Sequence, residues 1–443
     1  MKKQILVLVM LLVAALFVVS ACNVEDGRTE VTFMHWGSQA EVEANRETAG
    51  VYNAMQDRVT VRTMHTPWET YIERLNTMAM AGNLPDTGMM SEPAVIRFAQ
   101  EGLLMNVDAM YGPDDARPMD SLAFTYEGQT VAYSNGRVFI LLFYDKDKFD
   151  AAGVPYPPNT PEAAWTWDEF IEVGKQLTFD ANGNTPNDAG FDSNSIVQYG
   201  LLVENLPWQL NLWALSNGGR FFSEDGKEVL IDSPEAIEAI QKVADLHLVH
   251  NVAPFSGGLT DNSMERSIIA GTVAMATGGN WNVAFALKGP KEEGLNYGFA
   301  VLPYMKEKVT LNNAGPVVVF SQTKNPQEAM EFVKWFTNPE QNWTPYGDGV
   351  LTPSTMDWFT EEDKIERWLG NRDVYPPMEE VRGVYIDWGA TYSQPATSYY
   401  TPNVDAFEPL LAQILGDVWT GRITAEEAIK NNIDALKAAH AGN

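Results

Sequence analysis

Cysteine occurs once in this chain of 443 residues, at Cys22. No intramolecular disulfide can form, so the fold must be held by burial of apolar surface alone. The composition can supply that burial: 45% of residues are hydrophobic, with 13 Trp, 16 Tyr and 20 Phe. At roughly 150 residues per domain, the length implies two or three domains with ample core. The aromatic residues exceed what such cores need in order to close, and some rings are expected to face a ligand.

The surroundings of Cys22 give it a second meaning. Met1-Lys2-Lys3 is a cationic start, an apolar run follows from Ile5 to Val19, and Val19-Ser20-Ala21 leads into the cysteine. A charged start, a short apolar stretch and small residues form a secretory segment, too short for a comfortable membrane span. The ending resembles the lipobox of bacterial lipoproteins, in which the cysteine is acylated and becomes the first residue. Residues 1–21 are then a signal peptide and 22–29 a tether. Each buried methylene of an acyl chain contributes about 0.8 kcal/mol, enough to hold the chain on the extracytoplasmic face of the cytoplasmic membrane. The alternative is an ordinary secreted protein with an unmodified cysteine. The formal charge of −29 becomes −31 once Lys2 and Lys3 leave. Such a surface repels phosphate backbones and anionic lipid heads, so nucleic acid is no partner and membrane contact runs only through the anchor.

Past the tether, short apolar runs alternate with capped amphipathic helices. Thr66-Pro67-Trp68-Glu69, Thr166-Trp167-Asp168-Glu169 and Thr424 with Glu427 read as capping boxes; Ser233-Pro234 and Asn325-Pro326 open two further helices. Strand-forming runs begin near Glu30, Val59, Val138, Thr272, Phe299 and Pro316. The alternation predicts an α/β fold with largely parallel sheets, whose ligands bind beyond the carboxyl ends of the strands.

The order of these segments resembles a known family. Val31-Thr32-Phe33-Met34-His35-Trp36-Gly37-Ser38, Gly82-Asn83-Leu84-Pro85-Asp86, Phe143-Tyr144-Asp145-Lys146-Asp147, Ala152-Gly153-Val154-Pro155-Tyr156, Asn217-Gly218-Gly219, Gly278-Gly279-Asn280-Trp281 and Gly421-Arg422-Ile423-Thr424 carry the likeness. The chain is similar to the extracellular sugar-binding lipoproteins of ATP-binding-cassette importers, the family 1 solute-binding proteins of maltose- and glycerol-phosphate-binding type. The resemblance implies a two-lobed periplasmic-binding-protein-like α/β fold of type II with a cleft between the lobes. Three hinge crossings would fall near 138–141, 298–301 and 347–351. The N-terminal lobe would comprise 30–138 plus 301–347, and the C-terminal lobe 139–300 plus 348–443. It further implies a carbohydrate ligand, permease subunits as partners, a monomeric receptor, no cofactor and no catalysis.

Sugar recognition needs flat rings against the C–H faces of a pyranose and planar polar groups around its hydroxyls. Trp281 leads the candidates, with Gly279 and Asn280, because it follows a strand at the family's Gly-x-Trp position. Trp208 precedes the Asn217-Gly218-Gly219 turn where relatives place a stacking ring, whereas Trp213 reads as core. Trp36, Ser38 and Gln39 follow the first strand, Trp68 opens a helix, and Ser91 and Glu92 follow the strand that starts after Asp86. Trp388 and Tyr392 are taken from an aromatic loop that also holds Tyr399 and Tyr400. Maltodextrin-binding relatives carry an aromatic and an acidic residue where this chain has Met90 and Pro93, which argues against maltose. Residues 358–387 match the family poorly.

Signals for metal and catalysis are sparse. His247 and His250 stand at helical spacing without the carboxylate motif of a zinc site. Asp180, Asn182 and Asn184 resemble the start of a calcium loop, but its twelfth position is Phe191 where an EF-hand needs Glu, so a polar turn is the competing reading. The functional alternative to a receptor is a lipid-anchored glycoside hydrolase, since aromatic clefts and paired carboxylates also serve that chemistry.

Overall fold

The computed structural model describes residues 27–442 apart from 38, 256–263, 284–290, 293, 397–400 and 402. Cys22 with the signal peptide, Ser38, Tyr399 and Tyr400 therefore lie outside the described residues. Strand β1 (Thr29–His35) runs parallel to β2 (Val59–His65) in the register Thr29↔Val59 to His35↔His65, and parallel to β3 (Thr87–Met89) on its other edge. Side chains alternate across a strand. Val31 and Phe33 thus enter one core with Tyr52 of helix α1 (Gln39–Met55). Met34 enters the other with Tyr71 and Leu75 of α2 (Trp68–Met80).

Two long strands link the halves of the molecule. After α3 (Glu92–Gln100) and β4 (Ala123–Tyr126), β5 runs from Gln129 to Asp145 and is buried along nearly its whole length. Burial on both faces is why Phe139 to Tyr144 is an unbroken apolar run. Its first part, Ala132 to Phe139, pairs with β10 (Thr310–Val319); its second, Ile140 to Tyr144, pairs with β8 (Val273–Gly279). The change of partner falls between Phe139 and Ile140. Thr310 seals it, its buried hydroxyl accepting the Ile140 N–H at 3.1 Å and donating to the Ile140 carbonyl at 2.7 Å.

The second half adds helix α4 (Lys146–Ala152), α5 (Trp167–Gln176), β6 (Phe179–Asp180), β7 (Ile196–Leu202), α6 (Pro207–Ser216), α7 (Pro234–Leu248) and β9 (Tyr297–Ala300). Helix α8 (Pro326–Phe336) returns to the first half, covering the face of β1 through Phe332 and Phe336. Next come α9 (Glu362–Leu369), β11 (Ser393–Pro395), α10 (Val404–Trp419) and α11 (Ala425–Ala441), the last two packed on each other and on α7. The strand order is β2-β1-β3-β10-β5-β8-β7-β6, with β4, β9 and β11 as side branches.

Four sequence expectations change here. The sheet is mixed, not largely parallel: β3–β10, β5–β10, β5–β8 and β5–β9 are antiparallel, because β5 and β10 pass directly between the halves instead of returning through a helix. The second crossing lies later than 298–301. Val301 is still bonded to Pro158, Tyr304 to Trp165 and Glu307 to Ser216, so the chain enters the first half only at Thr310. Thr66 does not cap α2; its N–H bonds to the His35 carbonyl at 3.0 Å and the helix begins after Pro67. The aromatic segment 358–387, with Trp388 behind it, is core: Trp358, Trp368, Tyr375, Tyr385 and Trp388 are all fully buried. The capping boxes at Thr166 and Thr424 are present, each with its reciprocal glutamate bond.

Candidate functional site

At the carboxyl end of β1, His35 is buried and its Nδ1 lies 2.9 Å from the Trp36 carbonyl. Burial holds the imidazole below its ordinary range, and the nearby His65 adds to that effect. The chain then turns at Gly37, whose φ of +131° and approach to Glu41 leave no room for a side chain. That turn presents Trp36. Its ring meets Trp68 edge-on at 4.9 Å and Tyr71 at 5.0 Å. Tyr71 is the fixed member: its hydroxyl sits 2.9 Å from the Met34 carbonyl and 2.8 Å from that of Met89, welding the ends of β1 and β3. Trp68 keeps 54% of its surface, so this half offers an exposed indole braced by a half-buried one. Gln39 is exposed, but its amide is engaged by Glu43 at 2.6 Å.

The other half offers a second pair. Trp208, in the first turn of α6, and Trp281, just beyond β8, are half-buried with ring centroids 6.4 Å apart. Gly279 makes the pose possible, since a Cβ there would sit 1.9 Å from the Trp281 ring. Asn280 takes a different part from the one expected. Fully buried, it accepts the Phe139 N–H through Oδ1 at 2.9 Å and donates its own N–H to the Phe139 carbonyl at 3.0 Å. It splices the Trp281 loop onto β5 where that strand changes partners, leaving its Oδ1 committed to backbone.

Further corrections concern the remaining candidates. Trp388 has no exposed surface and stacks on Tyr392 at 5.2 Å, so it is a core residue; Tyr392 is half-buried. Ser91 is buried at the start of α3 and makes no side-chain cap, while Glu92 is half-buried in the first turn. Asp180 is consumed by its own loop. The N–H groups of Asn182 and Asn184 donate to Oδ1, and the Asn184 amide and Asp192 N–H to Oδ2, at 2.8 to 3.2 Å. Burial alone would raise this carboxyl, but those four donors outweigh it and bring it to about 2. A calcium loop needs those oxygens free. Among the described residues no cluster of three or more His, Cys, Asp or Glu is placed to hold a metal ion.

One residue escaped sequence reading. Glu408 lies on α10 four residues after Val404 and three before Leu411, on the stripe that Val404, Leu411, Leu415 and Val418 bury. A charge on an apolar stripe was the available signal. With Trp208, Asn211, Phe221, Phe222 and Phe407 it lines a cavity of about 10 Å³, the room one water requires. Burial pushes its carboxyl up to about 8, and the charges of Asp405 and Glu92 add to the shift. Glu92 belongs to the first half and Glu408 to the second.

Two α/β halves sharing through-running strands, with a tryptophan pair offered by each, define a two-lobed binding protein. The chain belongs to the bacterial extracellular solute-binding protein family, whose model matches residues 37–343. An arabinooligosaccharide-binding protein of Halalkalibacterium halodurans is 24% identical over 318 residues, 67% of this chain and 63% of that protein. An ABC substrate-binding protein of Listeria monocytogenes, solved in complex with cycloalternan, superposes with a TM-score of 0.77 at 20% identity, covering 94% of this chain and 99% of the other. The maltose/maltodextrin-binding domain of Bdellovibrio bacteriovorus, bound to maltotriose, gives 0.72 at 16% identity with the same coverage. The family and these neighbours are binding proteins, and the fold is the two-lobed one of maltose-binding type.

Proposed function

We propose that this protein captures a mono- or oligosaccharide between its lobes and delivers it to the permease of an ATP-binding-cassette importer, with no chemical conversion. The observation that carries the reading is the pair of indoles from each lobe, Trp36 with Trp68 and Trp208 with Trp281. Half-exposed rings offered in pairs suit the C–H faces of sugar rings, and the edges between them admit hydroxyls. Glu92 and Tyr392, both half-buried, and the exposed Gln39 are the polar groups we assign to the sugar hydroxyls, with the buried Ser91 beside Glu92. The lobes, 30–138 with the segment from Thr310 and 139–309 with the C-terminal helices, would open and close about the β5 and β10 passages, the ligand selecting the closed state. Cys22, acylated, would keep this monomeric trap beside its transporter on the outer face of the membrane.

The test is calorimetric titration and thermal melting of the protein with a panel of mono- and oligosaccharides, with product analysis of the same mixtures. Saturable binding and a raised melting point without turnover support a receptor. The competing reading is a lipid-anchored glycoside hydrolase, which needs a carboxyl of raised pKa set across the scissile bond from a second carboxylate. Release of new reducing ends would decide for that reading.

A further inference from the structure

We propose that His35 is a positioning residue for Trp36: its neutral imidazole holds the turn that presents the ring, and protonating it releases ring and ligand together. The inference rests on the receptor reading above. Its basis is the join between β1 and that turn, where two imidazoles take successive carbonyls. His35 donates from Nδ1 to the Trp36 carbonyl at 2.9 Å, and His65, its partner in the register of β1 and β2, donates from Nε2 to the Gly37 carbonyl at 3.1 Å. A carbonyl can only accept, so each contact fixes which ring nitrogen carries the proton. His35 must then keep its lone pair on Nε2.

That nitrogen is buried, and no hydrogen-bond partner among the described residues reaches it. The ring lies against Phe33 at 5.8 Å, and the His65 ring stands 5.8 Å away. From α1, the Asn45 amide comes within 3.4 Å of Nδ1 but donates to the Glu41 carbonyl at 2.9 Å, and the charge of Arg46 opposes a second cation. Glu41, an anion of the same helix, sets its carboxyl against Gly37. Helix α8 brings Phe332 and Phe336 to this face of β1, while its Glu331 and Lys334 are paired with Arg58 and Asp115. Thr344–Gly347, packed on α1, carries no charge. A proton on Nε2 would therefore create a buried N–H without an acceptor and a charge facing His65 and Arg46; the neutral ring avoids both costs. Once the turn lets go, the imidazole meets water and takes its proton in the ordinary range.

The sign follows from linkage. The held imidazole lies below the ordinary value of 6.5, whereas the released one is protonated at that value. The held turn is therefore favoured in full above the ordinary value and loses ground as pH falls below it, until the held ring is itself protonated. Affinity should fall toward acid, by at most about tenfold per pH unit, and stay level above about pH 7.5.

The experiment uses the full mature chain and titrates maltotriose, mannotriose and tagatose by calorimetry from about pH 5 to about pH 8. Expected for any probe that binds is an affinity that falls toward acid in the wild type. His35→Asn places an amide donor where Nδ1 stood and cannot be protonated in this range, so it should bind as the wild type does at the upper pH, without the slope. His35→Leu loses the donor and should bind severalfold more weakly at every pH. Equal slopes in wild type and His35→Asn, or none in the wild type, overturn the proposal while leaving the receptor reading intact. A second measurement needs neither ligand nor variant at His35: NMR of wild type labelled at histidine and tryptophan, with the Trp36 indole assigned by its loss in Trp36→Phe. Movement of that indole in step with a His35 titration below the ordinary value supports the positioning role, and an indole indifferent to it refutes the role. If no probe binds, the receptor reading fails, and the NMR titration still decides whether His35 positions Trp36.

Discussion

Trp281 and Trp388 are both tryptophans beyond strand-forming or loop segments, and truncating each to alanine should have opposite consequences. Trp388 is fully buried, stacked on Tyr392 and followed by Gly389, which packs against Phe139. Removing its indole opens a cavity that the neighbouring rings cannot fill, at a cost of about 3–5 kcal/mol in unfolding free energy. Trp281 is half-buried with its ring laid over Gly279. Trp281→Ala removes contact area offered to ligand, which should cost about 1–3 kcal/mol of binding, or roughly 5- to 150-fold in Kd. Its stability cost should be the smaller of the two. Urea denaturation followed by tyrosine fluorescence gives the stabilities from midpoint and slope, and calorimetry with the best carbohydrate probe gives the affinities. The reasoning is refuted if Trp388→Ala unfolds at the wild-type midpoint, or if Trp281→Ala binds as wild type does.

Gly279→Val should disable ligand binding more than stability, because the added atoms occupy the space of the Trp281 ring; equal affinity by calorimetry would count against the ring's pose. Thr166→Ala and Thr424→Ala should each cost about 1 kcal/mol by denaturation, whereas Thr66→Ala should cost less, since Thr66 caps nothing. The Asp180 carboxyl is held near 2, below its ordinary 3.8, so its contribution to stability is present above the ordinary value and fades as pH falls toward 2. Asp180→Asn should remove that component of the acid-unfolding profile, and calcium should leave the wild-type melting point unchanged. Cys22→Ser should release the protein from membranes into the soluble fraction of a salt-washed preparation; a variant that stays bound refutes acylation at this residue.

The alternation of elements was legible because its signals are local. The capping boxes at Thr166 and Thr424, the apolar run in β5 and the alternating β1 each depend on residues a few positions apart, and the structure contains all three. Thr66 shows the limit of the same signal: its box is complete in sequence, yet its N–H extends the strand pairing from His35 and the helix starts later. The direction of the sheet was not readable. Antiparallel pairing of β5 with β10 depends on where the chain passes between lobes, and no local pattern encodes that passage.

The candidate rings divided along the same line. Trp36, Trp68, Trp208 and Trp281 stand partly open, while Trp388, in an equally aromatic stretch, is sealed. A tryptophan carries the same apolar area and the same N–H in either place, so its own residue type cannot report which neighbours will cover it. Asn280 looked like a sugar-binding amide and is a backbone splice, because Phe139, 141 residues away in sequence, presents its N–H there.

By itself, the sequence determined that no intramolecular disulfide forms, that the chain alternates strand and helix, that its net charge is strongly negative, and that its one cysteine follows a short apolar run. Only the tertiary structure decided which aromatics stay partly open and which are core, and where β5 and β10 change lobes. The reason is range. Propensity, capping and periodicity act over one or two turns, whereas burial and charge at a site are set by residues brought together from distant parts of the chain.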